Sequence, residues 1–96
     1  MTVAFIFEVD AMTADQYDGI MGAMGLGEPG AVTGVGGAVA HIAGPKDGGG
    51  WRVIDVWDSE ESANAFYTSD QFAPVREATQ GGGMTSTPWP VHRFDA

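Results

Sequence analysis

One histidine and one aspartate could share acid–base chemistry in this sequence. His41 lies in the segment AVAHIAG and Asp55 in GWRVIDVW, and the turn-forming run PKDGG joins the two. If the segments pair as a hairpin without a bulge, His41 lies opposite Val53 and diagonal to Asp55, within reach of its carboxylate. Such a pair can act as a general base or acid. It can also be a core pair that only satisfies two polar groups, and a single bulge would turn His41 to the other face.

Aromatic side chains accompany Asp55 on its strand and on a neighbouring strand. The segments Val3 to Val9 and Gly50 to Trp57 are rich in β-branched and aromatic residues, which is typical of strands. If they are antiparallel neighbours, one register makes both faces coherent. It pairs Ala4 with Val56, Ile6 with Ile54, and Glu8 with Arg52 as an ion pair.

The other face of the same two strands then gathers Asp55 with large apolar residues. We expect four of its aromatic residues to bind a flat ligand: Trp57, Phe5, Phe7 and Trp51. Filling the core is the alternative for Trp57.

Two helices and two further strands complete the predicted domain. Thr13 and Gln16 form a capping box for a helix that Gly25 can close, and Asp58 or Ser59 caps a second helix. Further elements are a fresh helical turn from Pro74 to about Ala78, and a last strand near Thr87 to Phe94 whose two prolines favour an edge position. The glycine-rich residues 25–37 between the first helix and the second strand suit a loop that covers a ligand site, or a plain flexible connection.

The order strand, helix, strand, strand, helix, strand predicts one α+β domain over residues 1–96. Its arrangement is ferredoxin-like βαββαβ, a four-stranded antiparallel sheet with helices on one face. We expect the helices to cover the face of Ala4 and Ile6, which leaves the aromatic face exposed. Because that much apolar area is unstable in water, we predict that a second copy covers it. The homodimer would be a barrel with a cavity between the two sheets, and Asp55 would lie inside it.

The amino-acid composition limits the classes of partner and chemistry that this protein can have. The net charge of -9 disfavours nucleic acid and anionic membrane surfaces. There are no cysteines, which excludes disulfides and thiolate chemistry. No run approaches the roughly 20 apolar residues of a membrane span, and the N-terminus has no basic segment of a signal peptide. We therefore expect a cytoplasmic protein that does not bind membranes.

The segments FIFEVD, HIAG and especially GWRVIDVWDSEESANAFY resemble those of the dimeric α/β-barrel proteins, in particular the antibiotic biosynthesis monooxygenase group. The resemblance implies a small-molecule enzyme without a cofactor, either a monooxygenase or a related isomerase or polyketide cyclase. An aromatic substrate would bind in the cavity, where His41 and Asp55 would move protons and Trp57 would position it.

Three alternatives stay open. A homodimeric binding or accessory protein for a small apolar molecule is favoured if His41 points toward the helices, or if a backbone or tryptophan N–H engages Asp55. A purely structural dimer is favoured if the aromatic residues leave no cavity. His41, His92 and Asp55 are a conceivable metal set, but their spacing matches no motif and we expect no metal. The letters GLGEPG follow a helix, so they do not predict a dinucleotide site.

Overall fold

A computed structural model describes residues 1–95 of the chain. The elements, in chain order, are β1 (Val3–Val9), α1 (Ala14–Ala23), β2 (Ala38–Pro45), β3 (Trp51–Trp57), α2 (Glu60–Tyr67), α3 (Ala73–Thr79) and β4 (Met84–Pro90), with short 3-10 turns at Val32–Gly34 and Asp70–Phe72. The predicted ferredoxin-like order is confirmed. None of the helices in residues 1–95 has the length and apolar character that crossing a membrane requires.

The four strands form one antiparallel sheet in the order β2-β3-β1-β4. The predicted register between β1 and β3 is confirmed, with Ala4 opposite Val56 and Ile6 opposite Ile54. Arg52 and Glu8 form the expected ion pair, in which Arg52 Nη2 lies 2.7 Å from Glu8 Oε2. Side-chain alternation in β1 and β3 therefore divides the sheet into the two predicted faces.

The last strand lies earlier in the chain than predicted. It runs from Met84 to Pro90 rather than from Thr87 to Phe94. The backbone turns at Gly82 and Gly83, both with positive φ, and β4 then pairs along the whole of β1. The polar residues that open this strand carry little strand pattern of their own. Their pairing with β1 holds them in the sheet, and that pairing cannot be read from the segment alone. Pro88 and Pro90 are tolerated because β4 is an edge strand.

Local sequence signals place the helices as expected. Thr13 and Gln16 form both hydrogen bonds of a capping box at the start of α1. The Ser59 side chain accepts a hydrogen bond from the Ser62 N–H at the start of α2. Pro74 lies in the first turn of α3, where its missing N–H needs no partner.

The helices cover the aromatic face of the sheet, and the opposite assignment made from the sequence is wrong. Phe5, Phe7 and Trp57 pack in one core with Phe66 and Phe72, which come from α2 and the turn that follows it. The helices and the segments beside them carry aromatic and methionine side chains that are large enough to cover this face, which the apolar area of the sheet alone does not reveal. The face of Ala4 and Ile6 is the one that the chain's own helices leave open.

The turn between β2 and β3 depends on glycine. Gly50 has φ +92°, and a Cβ atom there would lie 2.3 Å from the carbonyl oxygen of Val9. Only glycine therefore lets the hairpin approach the end of β1 this closely. The turn places His41 directly opposite Asp55, two residues away from the predicted partner Val53. A register shift lies between Ala38 and Ala40, beyond His41, so His41 keeps the face shared with Asp55.

Candidate functional site

The helix-facing side of the sheet brings His41 and Asp55 together. They occupy paired positions on β2 and β3, and His41 Nδ1 lies 2.5 Å from Asp55 Oδ1. Asp55 is only 7% exposed and is the buried charged residue of the described chain. A buried carboxylate needs hydrogen-bond partners to offset its lost hydration. The surrounding side chains supply them.

Tyr67 contacts the other oxygen of Asp55, and Trp57 supports Tyr67. The Tyr67 hydroxyl at the end of α2 donates to Asp55 Oδ2 over 2.8 Å. The Trp57 indole N–H donates in turn to the Tyr67 oxygen, also over 2.8 Å. Burial, the Asp55 charge and the hydrogen bond to Asp55 together raise the pKa of Tyr67. Tyr67 therefore stays protonated and fixes the orientation of the carboxylate.

A second tyrosine completes the network from the helix side. Tyr17 Oη lies 2.5 Å from His41 Nε2, and the Tyr17 ring stacks on the imidazole at an interplanar angle of 13°. Burial, and then the negative charges of Asp55 and Asp18, raise the pKa of Tyr17 to about 12. At neutral pH Tyr17 is thus protonated, and it donates to Nε2 when His41 is in the neutral form that a base requires. The His41 Nδ1–H then donates to Asp55, the tautomer that a base acting through Nε2 requires.

These groups lie at the wall of an apolar cavity between the sheet and the helices. The cavity is about 70 Å³. His41, Asp55 and Tyr17 are among the few polar groups on a wall otherwise made mainly of apolar side chains, including Phe7, Val9, Met12, Ile20, Met21, Met24, Leu26, Val32, Trp51, Val53, Phe66, Phe72, Val75 and Met84.

The predicted ligand-binding residues divide into two groups. Phe7 and Trp51 line the cavity. Phe5 and Trp57 lie in the core outside its wall, and Trp57 is only 1% exposed. Trp57 reaches the site through Tyr67, because its N–H holds the hydroxyl that holds Asp55. A direct role for Phe5 or Trp57 in ligand binding stays a prediction.

The cavity adjoins an outer cleft. The loop after α1, including Gly27 to Thr33, forms much of the cleft wall, and Asp18 adds a charge to it. Cavity and cleft share five wall residues: Tyr17, Met21, Leu26, Val32 and His41. The Tyr17–His41 pair thus borders both spaces.

Tyr17 and Tyr67 are functional residues of the site that were not predicted from the sequence. The available signal was that a helix stripe carrying a phenol must pack on one sheet face, and that Asp55 marks the face where a phenol finds an acceptor. His92 lies after β4 and is exposed. Within residues 1–95, no group of three or more His, Cys, Asp or Glu side chains could hold a metal ion.

The fold defines the class of protein to which this chain is similar: small ferredoxin-like α+β proteins, several of which are described as dimeric. Neither a family model nor a curated protein matches the sequence. Solved structures do match the fold over nearly the whole chain. The fold that the sequence resemblance implied is therefore confirmed.

Three of these structures show how differently the proteins of this fold are described. Rv0793 from Mycobacterium tuberculosis matches with a TM-score of 0.74 and 13% identity, covering 100% of both chains. SnoaB, a cofactor-independent oxygenase from Streptomyces nogalater, matches with a TM-score of 0.72 and 12% identity, covering 97% of this chain and 95% of that one. A dimeric ferredoxin-like protein of unknown function from Jannaschia sp. CCS1 has a TM-score of 0.70 and 12% identity, covering 95% and 100%. At these identities the likeness concerns the fold.

Proposed function

We propose that this protein is an enzyme that removes a proton from a small aromatic or enolisable substrate, and that the resulting carbanion reacts with oxygen without a cofactor. The observation that carries the proposal is the line of hydrogen bonds from Asp55 through His41 to Tyr17 at the wall of an apolar cavity. The likeness in fold to the oxygenase SnoaB supports the oxygen step.

The proton transfer follows from the geometry. Tyr17 donates its hydroxyl proton to His41 Nε2 while its oxygen accepts a proton from the substrate. The imidazolium so formed is stabilised by the Asp55 carboxylate, which accepts hydrogen bonds from His41 and Tyr67. A substrate that displaces the Tyr17 hydroxyl would instead give its proton to Nε2 directly. In both routes His41 is the base and Asp55 orients it.

The oxygen step needs no reductant other than the substrate. In a CH₂ group flanked by aromatic rings, removal of one proton gives a stabilised carbanion that transfers electrons to O₂. The group becomes a carbonyl, and water carries away the second oxygen atom, so one CH₂ and one O₂ yield one C=O and one H₂O. The apolar wall keeps bulk water from protonating the carbanion.

Oxygen uptake tests the proposal. Aromatic substrates with such CH₂ groups, anthrone among them, are supplied to the wild-type protein and to the variants His41→Ala and Asp55→Asn. We expect uptake in the wild type and a decrease of about 10²- to 10⁴-fold in both variants, which is the usual contribution of general acid–base catalysis. His92→Ala is the matched control, because His92 is exposed and outside the site. Full activity in His41→Ala would contradict the role of His41.

One observation favours a second candidate, a binding protein without turnover. Both oxygens of Asp55 and both ring nitrogens of His41 are hydrogen-bonded within the protein. His41 and Asp55 face the helices, and the cavity lies on that same side of the sheet. The direction in which His41 points therefore does not distinguish an enzyme from a binding protein. Anthrone that binds the protein without oxygen uptake, and without exchange of its acidic protons in deuterated water, would select the binding protein.

We also propose that the protein is a homodimer formed through the open face of the sheet. Trp89 and Ile42 on this face are 59% and 62% exposed, and Ile6 and Ile54 lie between them. A second copy offers the same apolar surface in return, and structures of similar fold are described as dimeric. The active-site cavity would then belong to each subunit.

Light scattering at micromolar concentration tests the dimer. We expect twice the chain mass of 10.0 kDa for the wild type and for Trp89→Phe, and the single mass for Trp89→Glu. A wild-type protein that stays at 10.0 kDa would overturn the dimer.

A further inference from the structure

One buried polar atom in the protein lacks a partner. Within residues 1–95, the indole nitrogen of Trp51 is the buried side-chain nitrogen or oxygen with no hydrogen bond. Buried polar groups in folded proteins are nearly always paired, so an orphan of this kind calls for an explanation. The two other tryptophans are satisfied in different ways: Trp57 donates to Tyr67, and Trp89 is largely exposed to water.

The orphan belongs to a side chain of the cavity wall. Trp51 opens β3 next to the glycine turn, is 8% exposed, and lines the cavity together with His41. Its ring packs against that of Tyr17, with centroids 5.2 Å apart and an interplanar angle of 33°. The Tyr17 hydroxyl in turn meets His41. Trp51 and the proposed base therefore both contact Tyr17.

We propose that the Trp51 N–H binds an oxygen atom of the substrate and thereby selects its chemical class. An indole N–H is a donor only, so its partner must be an acceptor: the carbonyl oxygen of a ketone, or the oxygen of an enolate or phenolate. This inference rests on the proposed function, because it takes the cavity to be the substrate site. It adds that the substrate is a ring compound with an acceptor oxygen conjugated to the carbon that loses its proton.

The chemistry gives this donor a role beyond binding. When His41 removes a proton next to a carbonyl, negative charge moves from carbon to the carbonyl oxygen. A fixed N–H donor aimed at that oxygen in an apolar surrounding stabilises the charge more than it stabilises the neutral ketone. Trp51 would therefore favour both the right substrate and its anion.

Two ligands of nearly the same shape isolate the contact. Acetophenone and ethylbenzene differ in one group, a C=O in place of a CH₂, and both are small single-ring compounds. Binding of each to the wild-type protein and to Trp51→Phe is measured by calorimetry. Phenylalanine keeps an aromatic ring at the position and removes the N–H. We expect Trp51→Phe to weaken acetophenone about 5- to 10-fold, as for one lost hydrogen bond, and to change ethylbenzene less than about 2-fold.

A second measurement uses only the wild-type protein, in case Trp51→Phe does not fold. The indole N–H groups of the three tryptophans give three separate proton–nitrogen NMR signals. We expect acetophenone to move the Trp51 N–H proton downfield relative to ethylbenzene, while the signals of Trp57 and Trp89 stay in place.

The outcomes separate the two proposals. A preference for acetophenone that survives in Trp51→Phe, a Trp51 signal that responds equally to both ligands, or no binding of either ligand would overturn the assignment of Trp51. None of these results concerns the base, which oxygen uptake by the His41 and His92 variants tests. Conversely, a shift of the Trp51 signal together with absent turnover would support the contact between the Trp51 N–H and the ligand's carbonyl oxygen, and would reject the enzyme.

Discussion

Removing one hydroxyl from the core should destabilise this protein strongly. Tyr67→Phe keeps the ring, which packs edge-on against Phe5 and Phe7 at centroid distances of 5.4 and 5.2 Å. It removes the oxygen that connects Trp57 to Asp55. The Trp57 N–H, on a side chain that is 1% exposed, and Asp55 Oδ2 would then both be buried without a partner.

The size of the effect follows from these two losses. An orphaned buried donor costs about 1–3 kcal/mol, and a lost hydrogen bond to a charged group about 1.5–3 kcal/mol. Partial relaxation of the site reduces the sum, so we expect a loss of about 3 kcal/mol in the free energy of unfolding. For a domain of this size, each 1 kcal/mol lowers the Tm by about 4–8 °C. The expected decrease is therefore roughly 12–24 °C.

Thermal and urea unfolding at one fixed protein concentration measure the loss, because the apparent stability of a dimer varies with concentration. Tyr17→Phe is the matched control. It removes the other phenolic hydroxyl of the network, but that group is half-buried and leaves no charged group without a partner, so we expect a loss of about 1 kcal/mol. If Tyr67→Phe lies within about 1 kcal/mol of the wild type, Asp55 is not held as the structure indicates.

Two further predictions concern ionisation and the hairpin turn. The chain has only two tyrosines, Tyr17 and Tyr67, and both have raised pKa values. Absorbance at 295 nm should therefore show no tyrosinate in the folded protein near pH 10. Tyrosines of the unfolded chain ionise near pH 10. The stability that protonated Tyr17 contributes is therefore fully present below pH 10 and is lost as the pH rises through about 12. Normal titration of one tyrosine near pH 10 would contradict this prediction. In the turn, Gly50→Ala should cost roughly 2–4 kcal/mol, since its Cβ would strike the Val9 carbonyl. Gly48→Ala, which has positive φ but open space, should cost only about 1–2 kcal/mol in urea unfolding.

Alternation and local signals were sufficient to predict much of the fold. The period-two pattern of β1 and β3 predicted the pairing of Ile6 with Ile54, because a slip by one residue would have mixed the two faces. The capping box at Thr13 was predicted because it depends only on residues that are close together in the chain. The partner of His41 was not, because the offset of a hairpin depends on its turn. Here three successive glycines, Gly48 to Gly50, adopt positive φ, which their identity permits but does not dictate.

The site was predicted less completely because it depends on which elements meet. The sequence placed His41 and Asp55 on one face, but Tyr17 and Tyr67 join them only when α1 and α2 pack on that face. An area argument from the sheet alone could not make that choice, since both faces are apolar enough to be covered.

The corrected face changes what a dimer means for this protein. If the aromatic face were the dimer interface, dissociation would open the site and expose Asp55 to water. In the observed arrangement the cavity lies between the sheet and helices of one chain, and the open face with Trp89 and Ile42 lies on the other side of the sheet. Asp55 on β3 and its neighbour Val56 point to opposite faces. The proposed dimer would therefore support from behind the strand that carries the site, while the cleft beside α1 lies on the helix side, away from the proposed interface.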